Sequence, residues 1–208
     1  MGLHFPVEMQ QTLVHYIQLI ARWNKTFNLT AIRDVEDMVS KHLLDSLVIQ
    51  PYVEGKSVLD VGSGAGLPGI PLAITSPDKS FVLLDSNGKK TRFLTQAKID
   101  LKLDNIDVVH SRVEDYRPDT GPDLDPDLST SGAFDVIISR AYASTDDILS
   151  STKHLQGPNT RILVMQGKLD EGFVHDNYRL LESTQLEVYG LDAERHLLEL
   201  QPATTQTN

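Results

Sequence analysis

Ser57-Val58-Leu59-Asp60-Val61-Gly62-Ser63-Gly64-Ala65-Gly66-Leu67-Pro68-Gly69-Ile70-Pro71 is the stretch from which the fold can be read. Its first five residues are short, apolar and β-branched, the composition of a strand buried on both faces. They run directly into three glycines at alternate positions, Gly62, Gly64 and Gly66. Glycines there let backbone approach a ligand where a Cβ would collide, and the helix that follows presents N–H groups and a positive dipole end. A nucleotide-like ligand is the natural occupant of such a turn. The competing reading is a tight strand-to-helix turn that uses glycine for structure alone.

Working outward, Phe81-Val82-Leu83-Leu84-Asp85 reads as a second strand ending in an acid. At the carboxyl edge of a sheet, Asp85 is placed to accept both hydroxyls of a ribose; alone, it would read equally as a turn acid or as a helix cap before Lys89 and Lys90. The loop departs from the dinucleotide pattern, because its third glycine comes two residues after the second and because Asp60 precedes it. A pyrophosphate is repelled by that carboxylate. S-adenosylmethionine (AdoMet) has no phosphate and carries an ammonium and a sulfonium, which acids stabilise. The acidic strand end therefore favours AdoMet as the cofactor, with Asp60, Gly62, Gly64, Gly66 and Asp85 as its candidate contacts.

Upstream, Met9, Leu13, Ile17 and Ile20 recur at helical spacing, with Val14 and Tyr16 widening the stripe, which predicts a helix from Val7 to Trp23 with Pro6 in its first turn. Asp34 is an N-cap for a second helix reaching Val48 and ended by Pro51. Downstream, a helix is expected over Arg92 to Leu103, strands over Ile106 to His110 and Phe134 to Ser139, and a helix over Ile148 to Leu155. A fifth strand follows over Arg161 to Met165, and Gln185 to Gly190 with His196 to Leu200 form a closing antiparallel pair. The class is α/β: a Rossmann-like, doubly wound, mostly parallel sheet with an antiparallel C-terminal edge. Residues 1–52 read as an N-terminal helical cap and 53–208 as the AdoMet-binding domain, within one compact unit.

Composition bounds the function further. Nineteen Lys and Arg against 29 Asp and Glu give a net charge of -10, which opposes tight unaided binding to a polyanion. Basic residues gather as Arg22-Lys25-Arg33-Lys41 and Lys89-Lys90-Arg92. Cysteine is absent, which removes disulfides, thiol nucleophiles and thiolate metal sites. No run of about 18 apolar residues and no basic-then-apolar leader occurs, so a cytoplasmic protein without a membrane partner is expected. From Asp119 to Gly132 the composition is that of a surface loop. Asp123, Asp125 and Asp127 within it resemble the start of a calcium loop, but Leu128 and Phe134 stand where Gly and Glu are required, so no metal is expected.

With these residues in view, the chain resembles the RsmG (GidB) family of ribosomal RNA guanine-N7 methyltransferases, from about Trp23 to Leu198. The likeness is carried by Trp23-Asn24-Lys25 with Asn28-Leu29-Thr30, by His42 to Leu47, and by the glycine loop with its Leu67 to Pro71 extension. Leu84-Asp85-Ser86 with Gly88-Lys89-Lys90, Ser111 to Glu114, Ile138 to Ala141 and Glu194 to Leu197 complete it. The resemblance implies a class I AdoMet-dependent methyltransferase acting on a guanine of 16S RNA in the small ribosomal subunit. It implies cofactor contacts at Gly62, Leu67, Val113, Glu114 and Arg140, with Val113 and Glu114 flanking the adenine and Arg140 next to methyl transfer as the catalytic residue. Read from the residues alone, Glu114 could instead open a short helix, and Arg140 could pair with Asp85 or Asp60.

Guanine N7 carries an in-plane lone pair, so its methylation requires no general base, triad or metal. His42 and Asp45, three residues apart on one helix face, accordingly read as a packing or capping pair and not as a dyad. Lys25, Arg33, Lys41, Lys89, Lys90 and Arg92 are the candidates for RNA phosphates, on a monomer that acts on an assembled or assembling subunit. The chain departs from the family pattern in Gln166-Gly167, where a lysine usually precedes the glycine, and in the length of its acidic stretch. Two other functions fit the general features: an AdoMet enzyme for a small molecule or protein, and a non-enzymatic AdoMet-binding module.

Overall fold

A computed structural model of the chain describes residues 4–118, 132–140, 144–168 and 175–203. The acidic stretch, with Asp123, Asp125 and Asp127, lies outside the described residues. Seven strands form one sheet: β1 (Ser57–Val61), β2 (Ser80–Asp85), β3 (Ile106–His110), β4 (Phe134–Arg140), β5 (Gln156–Gln166), β6 (Tyr178–Gln185) and β7 (His196–Pro202). Their order is β3-β2-β1-β4-β5-β7-β6. The first five are parallel, β7 runs antiparallel to β5, and β6 antiparallel to β7. This is the doubly wound sheet with an antiparallel C-terminal edge that the alternation of elements predicts.

Each face of the sheet packs its own apolar layer, because successive side chains of a strand point to opposite faces. On one side Val58, Leu83, Val136, Ile138 and Leu163 meet Leu13, Tyr16 and Ile20 of α1 (Val7–Phe27), Ile70 and Leu72 of α4 (Gly69–Thr75), and Phe93 and Leu94 of α5 (Gly88–Leu101). On the other, Leu59, Leu84, Ile137 and Ile162 meet Ile148 and Leu149 of α6 (Thr145–Ser151). The helices that precede β1 thus share the sheet's own core. Among the described residues no helix is long and apolar enough to cross a membrane.

Several boundaries differ from expectation, each for a local reason. α1 starts after Pro6, which is its N-cap, and runs four residues past Trp23, where Trp23 stacks on Phe27 at 5.0 Å. Asp34 does cap the next helix, accepting from the Glu36 and Asp37 amides. That helix is not regular, however: α2 (Val35–Met38) passes into a π-helical stretch, Val39–Leu44, and then α3 (Asp45–Leu47). α5 begins at Gly88, four residues early, because the Asn87 side chain accepts from the Lys89 and Lys90 amides. α6 likewise starts early, at a reciprocal capping box between Ser144 and Asp147, and gives way to a 3-10 turn, Lys153–Leu155. β5 extends back to Gln156 through polar residues. The strand expected at Gln185 to Gly190 ends where it was expected to start, since β6 is an exposed edge strand without an apolar rhythm. Buried Leu186 and Val188 instead anchor an irregular loop, with the Leu186 amide donating to the Arg195 carbonyl at 2.7 Å.

Tyr16 ties α1 to the glycine loop. Its side chain is fully buried, and its hydroxyl donates to the Ala65 carbonyl at 2.7 Å and lies 3.2 Å from that of Gly66. Burial pushes the phenol well above its ordinary range, so it stays a donor. Tyr16→Phe leaves a buried carbonyl without its partner and is expected to lower the unfolding free energy by about 1–3 kcal/mol in urea denaturation. An unchanged midpoint would show that this contact contributes nothing net.

Candidate active site

The sheet order reverses at β1, which has β2 on one side and β4 on the other. Chain segments leaving the carboxyl ends of these strands diverge at such a point and open a crevice. Two hollows occupy it. The larger, about 740 Å³, is lined among others by Gly62, Gly64, Leu67, Arg140, Met165 and Gln166. The smaller, about 360 Å³, is lined by Asp85, Ser86, Asn87, Arg112, Val113 and Glu114 among others. Gly62 and Lys90 line both, so the two adjoin.

Asp85 organises the junction. One carboxylate oxygen accepts the Gly64 amide at 2.9 Å, the other accepts the Asn87 amide at 2.8 Å, and the Lys90 ammonium stands 3.7 Å away. Each oxygen has a second lone pair left for a hydroxyl. Gly64 has φ +62°, and a Cβ there would meet no atom closer than the Gly62 carbonyl at 3.8 Å, so the loop turns an open face to the crevice. Val113 is buried and Glu114 exposed in a 3-10 turn, Val113–Asp115. Glu114 therefore both belongs to a short helical turn and lines the smaller hollow.

Two loop residues behave differently from expectation. Asp60 does not face the crevice: it is fully buried, lines neither hollow, and accepts the Gly69 amide at 3.0 Å. It thereby caps the N-terminus of α4, using an N–H that the glycine turn was expected to offer a ligand. Only glycine fits at position 69, where a Cβ would lie 2.6 Å from the Asp60 carboxylate. Asp60 Oδ1 has no partner among the described residues. Burial drives its pKa up to about 6, against the pull of Gly69, Ser63 and the Arg140 charge. Gly66 also lines neither hollow; a Cβ there would strike Ile70 at 2.5 Å, so it serves loop-to-helix packing.

In the larger hollow, Arg140 ends β4 and donates from Nη1 to Asp45 Oδ2 at 2.9 Å. Arg195 donates from Nε to Asp45 Oδ1 at 2.8 Å. Asp45 is thus a buried carboxylate held between two arginines, and neither Asp85 nor Asp60 is Arg140's ion-pair partner. His42 does not pair with Asp45. Its Nδ1 donates to the Lys41 carbonyl at 3.1 Å and its Nε2 accepts from the Thr30 hydroxyl at 2.8 Å. Burial, then the Arg140 charge, lowers its pKa and keeps the ring neutral, which suits that hydrogen-bond pattern.

Of the basic residues singled out in the sequence, Lys41 lines the larger hollow and Lys90 both. Lys25 and Arg33 line a third hollow between α1 and the start of α2, while Lys89 and Arg92 are exposed on α5 and line none of the three. Asp45 as the bridge and Arg195 as its second partner were not foreseen as site residues. Both lie in segments that carry the family likeness, which was the available signal. Gln166, at the end of β5, lines the larger hollow with a buried Nε2 that has no partner among the described residues.

A family model described as GidB, rRNA small subunit methyltransferase G, matches residues 9–198. The chain is 48% identical to a ribosomal RNA small subunit methyltransferase G of Pseudomonas aeruginosa (strain LESB58), over 96% of this chain and 90% of that one. It is 45% identical to one of Shewanella amazonensis, over 96% of this chain and 92% of that one. Among solved structures, a SAM dependent methyltransferase from Aquifex aeolicus superposes with a TM-score of 0.57 at 14% identity, covering 79% of this chain and 93% of that one, a likeness of fold.

Proposed function

The chain belongs to the GidB family of rRNA small subunit methyltransferases, and from that premise we propose that it moves the methyl group of AdoMet to N7 of a guanine in 16S ribosomal RNA. The observation that carries the site assignment is the pair of adjoining hollows at the switch point, one beside the Asp85 carboxylate and the other containing Arg140.

The residues fit the cofactor. Asp85 would hold the ribose hydroxyls, Val113 and Glu114 the adenine, and Gly62, Gly64 and Leu67 the path toward the larger hollow. Asp60 acts from beneath the loop, through its field and its hold on α4. Bound AdoMet would supply a methyl group activated by its sulfonium: the S–CH3 bond would break to leave the neutral thioether as the guanine N7 lone pair forms the N–CH3 bond, with no proton to remove first. Catalysis by the protein is then orientation. Arg140 is fixed by Asp45, and a guanidinium has five N–H groups, so donors remain for the cofactor carboxylate or the guanine O6. Neutral His42, bonded at both ring nitrogens, braces the wall and transfers no proton.

On this reading residues 1–52 are a cap over a domain formed by 53–208, and the enzyme is a cytoplasmic monomer. Lys41 and Lys90 at the hollow, with Lys89 and Arg92 on α5, contact RNA phosphates near the target base. A chain of net charge -10 gains little from bare RNA, so the substrate is an assembled or assembling small subunit. Incubation with tritiated AdoMet, followed by nucleoside analysis, tests this. Label is expected as N7-methylguanosine in small-subunit RNA, faster on subunits than on naked transcript. Label at another atom, or equal rates on both, would overturn the corresponding part.

A further inference from the structure

We propose that the third hollow, on the cap, is a phosphate-binding subsite for the RNA strand whose base enters the reaction cavity. The inference rests on the reading of the chain as an RNA methyltransferase. The hollow, about 430 Å³, is lined by Arg22, Lys25 and Arg33 together with Gln18 and Asn24 among others. Three exposed cations therefore converge on one concavity of a chain whose net charge is -10.

Among the described residues, none of the three has a hydrogen-bond or ion-pair partner. Of the acids nearest along the chain, Asp34 caps α2 through one oxygen and Asp37 holds Lys41 at 2.8 Å. Glu36 makes no ion pair with a described residue. Like charges gathered without a counter-ion repel one another, and an anion relieves that repulsion. A phosphate with several oxygen acceptors is the anion that an RNA substrate brings.

The hollow is also coupled to the reaction cavity by a shared wall. Leu29, Thr30 and Ile32 line the cavity, and the next residue, Arg33, lines the hollow. Buried Asn24 fixes that wall, its Oδ1 accepting the Thr30 amide at 2.9 Å and its Nδ2 donating to the Ile32 carbonyl at 3.0 Å. Thr30 in turn holds His42 at 2.8 Å inside the cavity. A strand that delivers a base to one side of this wall has its neighbouring phosphates within reach of the other. The three cations thus position substrate without touching the cofactor.

The test is methylation kinetics on small subunits with the triple variant Arg22→Ala, Lys25→Ala, Arg33→Ala. KM for the subunit is expected to rise at least about tenfold, with kcat and AdoMet affinity unchanged. The slope of log KM against log salt should become shallower by about 2, from roughly 0.7 per phosphate lost on a single strand. The charge-keeping variant Arg22→Lys, Lys25→Arg, Arg33→Lys should restore both. If the triple variant fails to bind AdoMet, each single alanine variant is measured, with KM expected about threefold higher and the slope flatter by about 0.7. An unchanged KM and salt slope in variants that bind AdoMet normally would overturn the proposal, as would a raised KM with an unaltered slope, which would mean shape and not charge. If the unmodified enzyme places no methyl in small-subunit RNA, the functional reading falls; if it does and the variants match it, only this subsite falls.

Discussion

Arg140→Ala is expected to abolish detectable methyl transfer, lowering kcat by about 10²–10³-fold or more, the range seen when one aimed donor is removed from an active site. The reason lies in how the guanidinium is held. Arg140 closes β4 at the carboxyl edge, is four-fifths buried, and is pinned by Asp45 at 2.9 Å inside the larger hollow. A fixed guanidinium needs no reorganisation when charge shifts in the transition state, and its planar fork can serve a carboxylate or a guanine O6 through paired bonds. Arg140→Lys keeps the charge and loses the fork, so it should recover little. The fold should survive, because Asp45 keeps its bond to Arg195 at 2.8 Å. A stability loss of about 1–3 kcal/mol is expected from the half-released carboxylate. Single-turnover rates with saturating AdoMet, alongside circular dichroism, decide the matter. Near-normal turnover in a folded Arg140→Ala protein removes this residue from the mechanism.

Asp85→Ala is expected to weaken AdoMet binding by about 10²-fold, through loss of hydrogen bonds to a charged group at about 1.5–3 kcal/mol each. Two effects combine. The ribose loses its acceptor, and the Gly64 and Asn87 amides, 2.9 and 2.8 Å from the carboxylate, lose theirs. The second loss loosens both the glycine loop and the start of α5. Asp85→Asn keeps one acceptor oxygen and should fall between. Calorimetric titration with AdoMet and with its demethylated product measures both variants. A dissociation constant within about threefold of the parent would mean that Asp85 shapes the turn and does not touch the ligand.

The parts of this molecule that sequence rhythm revealed are the parts whose neighbours are uniform. β1 falls where its apolar run places it, since a buried parallel strand has apolar surroundings on both faces; β3 keeps its expected bounds as an edge strand whose Ile106 alone is fully buried. β6 was invisible for the converse reason: as an exposed edge strand it has no burial pattern to print on its residues. The irregular passage through Val39–Leu44 was equally hidden, because helical periodicity assumes a constant turn. Asp60 could have been placed better. Strand alternation sets it on the face of Val58, which packs toward α4, and so under the loop and not before it.

By itself the order of residues determined the α/β class, the glycine turn after β1, the acid at the end of β2 and the family to which the chain belongs. These are local patterns, and local sterics and burial dictate them. Which groups meet was decided only by the tertiary structure. Asp45 stands 95 residues from Arg140 and 150 from Arg195, and Tyr16 of α1 lies 49 residues from the loop carbonyl it holds. No periodicity links positions so far apart; the packing of α1 and α3 against α4, the helix that follows the glycine loop, brings them into contact.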